Sequence, residues 1–134
     1  MPTCFKQFKA IRDLTAAEIT QLRDHCYRGY VEIESHFLFH GKDGTDYGKI
    51  TITFRGIQYH FRRHLLALFL KLHDADFDMA TWTDGFEASH LCHKRRCYNP
   101  EHLVLEHRAT NKSRDACVKD GSCRGHGEAP RCLI

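Results

Sequence analysis

The sequence predicts a small α+β fold, and three observations lead to it. Residues 30–62 alternate apolar and polar side chains with period two, the mark of half-exposed antiparallel strands. The stretches 15–26 and 62–74 instead recur with helical period. Between Cys92 and Cys132, cysteines and histidines crowd into two close-set groups. Residue types and spacings of that kind hold tetrahedral zinc, so the small sheet is expected to lean on two structural zinc sites as well as on a core.

Composition bounds the rest. A chain of 134 residues is expected to form a single domain, 1–134, with a modest core. Seven cysteines are an odd count for a disulfide framework. The opening MPTCFKQFKAIRDLT lacks the apolar centre of a secretory signal. The cysteines therefore read as metal ligands in an intracellular, reducing compartment. No apolar run approaches the ~20 residues that cross a bilayer, so no membrane partner is expected. A formal charge of +3 is too mild to name nucleic acid as a partner, and the residues themselves have to do that.

Taken in order, Thr15 and Glu18 form a capping box, and Ile19, Leu22 and Cys26 follow on one helical face. VEIESHFLF (31–39) reads as a strand, GKDGTDYG (41–48) as turns, and KITITF (49–54) as a strictly alternating strand. Gly56 marks a turn into IQYHF (57–61), which makes an antiparallel sheet of about three strands. Ile50, Ile52 and Phe54 share one face of it. Lys49, Thr51, Thr53 and Arg55 share the other, joined by Gln58 and His60. Arg62–Asp74 is an apolar helix whose Leu65, Leu66, Leu68, Phe69 and Leu72 read as core. A polar loop around Trp82 and Asp84–Gly85 leads to a strand at 86–90. Residues 103–105 form the next strand, and a helix runs from Ala109 into Cys117.

The densest stretch is Ser89–Asn111. Four residues separate Cys92 from Cys97, and another four separate Cys97 from His102, so one loop can present two thiolates and an imidazole to one zinc. A fourth ligand must come from elsewhere in the chain. Cys26 is the favoured donor, although as a small buried hydrophobe it would also suit the end of its helix face; Cys4 is the competitor. Beyond lie Cys117, Cys123, His126 and Cys132, four ligands in one segment, with glycines that let the backbone wrap an ion.

SHLCHKRRCYNPEHL, followed by the NKSR that begins at Asn111, resembles the His-Cys box of homing endonucleases, within the wider ββα-metal (His-Me finger) nucleases. The match is dense from Ala88 to Cys117, loose as far as Cys132 and faint over residues 1–60. The resemblance implies a ββα-metal motif at about 86–117, a DNA-reading sheet at about 30–62 and a second zinc loop at 117–132. It also implies that an upstream cysteine in a His-Cys-Tyr context, here His25-Cys26-Tyr27, completes the first zinc. His126 is the softest ligand of the second site, because the family's spacing differs there.

The expected activity is site-specific, Mg2+-dependent hydrolysis of DNA phosphodiesters, leaving 5′-phosphate and 3′-hydroxyl ends. Such chemistry needs a base for water and a cation for the developing charge. His90 is placed as the general base, since neutral imidazole accepts a proton near pH 7. Asn111 is placed as the ligand of a hydrated Mg2+, although capping a helix is its ordinary role. The family uses a sheet arginine on the scissile phosphate. Arg55 is its nearest counterpart here, with Arg62 and Arg63 behind it. Lys94, Arg95, Arg96, Lys112 and Arg114 are expected to position phosphates.

On its residues alone the polar sheet face is an ordinary solvated face. The resemblance makes Lys49, Thr51, Thr53, Gln58 and His60 a ribbon for double-stranded DNA, and it implies the nucleus of a eukaryotic host. Members of this type exchange a C-terminal tail between subunits. This sequence ends two residues after Cys132, which leaves a homodimer open. A silent zinc-stabilised DNA-binding module is the alternative, with an RNA-binding or protein-interaction module behind it.

Overall fold

The computed structural model describes residues 8, 11, 13–28, 31–33, 35–38, 48–74 and 85–134. Helix α1, Ala16–Tyr27, starts where Thr15 and Glu18 exchange side-chain-to-backbone hydrogen bonds, the predicted capping box. Such a cap contributes about 1 kcal/mol by satisfying N–H groups that the first turn leaves open. The helix buries Leu22 and Cys26.

The segment read as a single strand at 31–39 is a tight hairpin. Strand β1, Val31–Ile33, pairs with β2, His36–Leu38, and Ser35 turns between them at φ 67°. Strands β3, Lys49–Phe54, and β4, Ile57–Arg62, form a second antiparallel ribbon. The expected sheet of about three strands is therefore two separate two-stranded ribbons, with a third downstream. Period-two alternation continues through a turn of one or two residues, which is why sequence alone merged β1 with β2. Most of the predicted turn at 41–48, the loop at 75–84 and Cys4 lie outside the described residues.

The β3–β4 ribbon has two chemically different faces. Ile52, Phe54 and Phe61 are buried, while Lys49, Thr51, Thr53, Gln58 and His60 are exposed. Its register sets Thr51 opposite His60 and Thr53 opposite Gln58. Arg55 and Gly56 turn the ribbon with φ of 53° and 74°. Two successive positive φ values match the twist of an antiparallel pair, as in type I′ turns.

Helix α2, Arg63–Asp74, follows β4 without a break, and every residue from Arg63 to Leu70 is buried. It forms the centre of the core with Phe8, Ile11, Leu22, Cys26, Ile52, Phe54, Phe61, Tyr98 and Leu103. The Phe8 ring stacks on Phe61 and Phe69, with centroids at 5.3 and 4.8 Å. Lys71 Nζ donates to the carbonyls of Pro100 and Leu103, fastening α2 to the next unit.

That unit is the expected ββα motif. Strand β5, Phe86–His90, pairs antiparallel with β6, Leu103–His107, and a 3-10 turn, Pro100–His102, precedes β6. The helix expected from Ala109 into Cys117 is two short ones: α3, Arg108–Ser113, and α4, Asp115–Asp120. Arg114 stands between them with its side chain buried. Gly121, at φ 72°, ends α4 in a left-handed conformation that favours glycine. Among the described residues no helix is long and apolar enough to cross a membrane.

Candidate metal and catalytic centre

The chain folds back after β5 in a knuckle that holds His90 and the first metal group together. The His93 N–H donates to the His90 carbonyl, Cys97 N–H to Lys94, and Leu91 N–H to His102, which extends the β5–β6 pairing by one rung. Cys92, Cys97 and His102 converge as predicted. The fourth member is His36, and the four ligand atoms lie within 4.8 Å of one another. The expectation for Cys26 is corrected. Its thiol lies in the hydrophobic core, donates to the Arg63 carbonyl at 3.8 Å, and is pushed up to about 12 by burial.

His36 reaches the group because Asn99 ties the β1–β2 turn to the knuckle. Asn99 Nδ2 donates to the Ser35 carbonyl at 2.7 Å, while its Oδ1 accepts from Glu101 N–H and caps the 3-10 turn. Ser35 Oγ in turn lies 3.4 Å from His102 Nε2, leaving His102 Nδ1 3.5 Å from Cys97 Sγ. The donor set fits zinc. Among the described residues His36 Nδ1 is buried with no hydrogen-bond partner. The Cys92 thiol is pushed well above its usual range by its hydrogen bond with Cys97 and by burial, so a cation is needed to support the thiolates. Among the described residues all six cysteines are free thiols.

The second group is Cys117, Cys123, His126 and Cys132, the set predicted, again within 4.8 Å. His126 Nε2 lies 3.3 Å from Cys117 Sγ and 3.5 Å from Cys132 Sγ, and Nδ1 sits 2.9 Å from Ser113 Oγ. That contact orients the ring, as partners of metal-binding imidazoles do. Backbone N–H groups around Cys123, led by that of Cys132, lower its thiol to about 6 and favour a thiolate. Four donors close each site, so both suit structural zinc.

A buried chain of contacts joins the second group to the strand that carries His90. Arg114 Nη1 donates to Cys132 Sγ at 3.4 Å, and its other nitrogens form a two-point pair with the Glu106 carboxylate at 2.7 and 2.8 Å. Ser89 Oγ donates to the same carboxylate at 2.5 Å. Burial raises the Glu106 pKa, but the hydrogen bonds from Arg114 and Ser89 outweigh it and hold the group charged. Arg114 is thus a structural tie and not a phosphate-positioning charge. Backbone completes the link, with Leu133 N–H donating to the Leu91 carbonyl at 2.8 Å.

His90 ends β5 with its Nε2 3.0 Å from the Cys97 carbonyl. A carbonyl only accepts, so Nε2 carries the proton and the basic lone pair resides on Nδ1. Burial draws its pKa down to about 4 against an opposing pull from Cys97, so the ring is neutral at pH 7. The His64 ring packs against it at 4.8 Å. Asn111 lies within α3, not at its cap, a place taken by His107. Its Nδ2 donates to Glu87 Oε1 at 2.6 Å. Amide and carboxylate oxygens are hard donors suited to Mg2+, and no sulfur takes part in this contact.

Arg55 is held by other partners. Nε and Nη2 grip the Glu18 carboxylate at 2.7 and 2.8 Å, and Nη2 also donates to the Asp13 carbonyl. It sits at the turn of the β3–β4 ribbon, the end remote from the junction with α2. Arg63 is buried, with Nη1 donating to the Cys26 carbonyl at 2.6 Å at the end of α1. Arg62 lies opposite Lys49, and its charge helps lower the His64 pKa, behind burial and His90.

Residues 42–131 match the family described as the zinc-binding loop region of homing endonuclease. The chain belongs to that family. No solved structure matches it. The homing-endonuclease family and the two Cys/His groups together account for most of the chain from β3 onward. Sequence reasoning missed three contributors: His36, Asn99 and Glu87. Asn99 had a signal, since Asn-Pro ahead of a helical turn is an N-cap pattern. His36 had only a neighbouring serine in what read as an unbroken strand.

Proposed function

We propose that this member is a Mg2+-dependent, site-specific DNA endonuclease that hydrolyses phosphodiester bonds by direct water attack. The observation that carries the reading is the held imidazole of His90, neutral at pH 7 and locked in one tautomer by the Cys97 carbonyl. Phosphate anions approaching the ring raise its proton affinity toward the range a general base needs. Asn111 would hold the Mg2+ through its amide oxygen, a hard donor suited to that ion. Bound Mg2+ supplies positive charge for the phosphoryl oxygens and the departing 3′ oxygen.

Arg62 replaces Arg55 as the arginine for the scissile phosphate, because its charge acts on His64, whose ring packs against His90. The exposed row Lys49, Thr51, Thr53, Gln58 and His60 supplies a cation, hydroxyls, an amide and an imidazole on one face. That inventory suits phosphates and base edges of a duplex, with the ribbon lying in the major groove.

The test is cleavage of supercoiled plasmid carrying a library of target sites, with Mg2+, by the wild type and by His90→Ala. Cutting that vanishes in the variant while zinc content and fold persist supports the reading. Tight DNA binding without cutting by the wild type overturns it in favour of a silent binding module.

A further inference from the structure

We propose that Glu87 is a positioning residue that sets which way the Asn111 amide faces, and through it the affinity of the Mg2+ site; this rests on the assignment of Asn111 to Mg2+. Glu87 lies on β5, three residues before His90, and opposes Glu106 in the register. Its Oε1 accepts from Asn111 Nδ2 at 2.6 Å. An ionised carboxylate can only accept. The amide group turned toward it must therefore be NH2, which leaves Oδ1 as the atom turned elsewhere.

Metal ligation needs Oδ1, and an amide without such a partner divides its time between two orientations that are almost equal in shape. The carboxylate removes the unproductive orientation before the metal arrives. Its other oxygen lies 3.7 Å from Arg108 Nε on the same helix as Asn111, which directs the carboxylate at α3. The Glu87 side chain is about a quarter exposed, with a relative accessibility of 24%, so the pair is partly screened from water, which would otherwise compete for both groups.

The residue's length and charge separate this role from direct ligation. Glutamine can still accept from Nδ2 through its carbonyl oxygen but brings no charge to a cation. Alanine does neither. The experiment measures Mn2+ affinity by electron paramagnetic resonance in the zinc-loaded protein bound to target DNA, for the wild type, Glu87→Ala, Glu87→Gln and Asn111→Ala. The side-chain amide protons of Asn111 are followed by NMR in the same proteins without Mn2+.

The expected result is roughly ten-fold weaker Mn2+ binding in Glu87→Ala, as is typical when a partner of a metal ligand is removed. Glu87→Gln should stay near the wild type, and a shifted Asn111 amide proton should be lost only in the alanine variant. Equal losses in both Glu87 variants overturn the proposal in favour of a carboxylate ligand. Wild-type affinity in both overturns it in favour of a surface contact. If Asn111→Ala also binds Mn2+ normally, the assignment of Asn111 itself fails, and the NMR signal still reports whether Glu87 orients the amide.

Discussion

The two metal groups use similar donors and are built in opposite ways. The second lies within one segment, Cys117 to Cys132, where a short helix and a few glycine turns bring the ligands together. The first joins a knuckle at 92–102 to His36, a residue more than fifty positions away, on a separate ribbon. Local groups close small loops and lose little chain entropy on assembly, whereas distant ones close large loops and tie separate elements into one body. The second group thus finishes a local fold, and the first links the β1–β2 hairpin to the ββα unit.

The largest expected effect comes from removing both metals. Structural zinc contributes on the order of 10 kcal/mol to folding at such sites, so chelation should abolish the cooperative unfolding transition seen by circular dichroism. Next is the buried tie between the second group and β5. Arg114→Ala strips the buried Glu106 carboxylate of its countercharge and leaves it the Ser89 hydrogen bond, a change that costs about 3 kcal/mol. Chemical denaturation should report that loss, and zinc at the first site should survive it if the two groups are as separate as their construction implies.

Exchange of ligands sharpens the comparison further. His36→Ala should lower the zinc content by one equivalent, measured by elemental analysis. Cys26→Ala should keep both equivalents and cost about 1–2 kcal/mol, the effect of a small void in the core. Loss of zinc from the Cys26 variant and not from the His36 variant would reverse the assignment.

The smallest effect belongs to Arg55. Its hydrogen bond, with help from the Thr15 backbone, lowers the Glu18 pKa from 4.5 to about 2. A carboxylate whose folded pKa is depressed adds stability above its unfolded pKa, and that stability fades as pH falls through the folded value. The stability gap between wild type and Arg55→Ala should therefore be present at neutral pH and shrink between pH 4.5 and 2. The pair is exposed, so the gap should be modest. Plasmid cleavage should tolerate Arg55→Ala and be lost in Arg62→Ala.

Several elements were legible in the residues because the interactions that make them are local. The capping box of α1, the faces of the β3–β4 ribbon, the apolar α2 and all four ligands of the second group follow from spacings of a few positions. So did three of the four ligands of the first group. The hairpin at 31–38 was hidden because a short turn leaves the period-two pattern intact on both sides. Arg55 shares a face with the ribbon's polar row, but the structure pairs it with Glu18. Alternation reports which side a residue faces, but not which end of the ribbon lies toward His64 and His90.

By itself the sequence determined which residues are the candidates for the chemistry: the thiols and imidazoles at metal spacing, His90 at a strand end, and Asn111 beyond it. Tertiary structure decided which distant residue completes the first group, that His64 packs against His90, and that Glu87 meets Asn111. Those choices depend on how ribbons and helices pack. Cys26 and His36 offered chemically adequate ligands in the same part of the chain, but the core took the thiol while Asn99 drew the hairpin, and with it the imidazole, to the metal group.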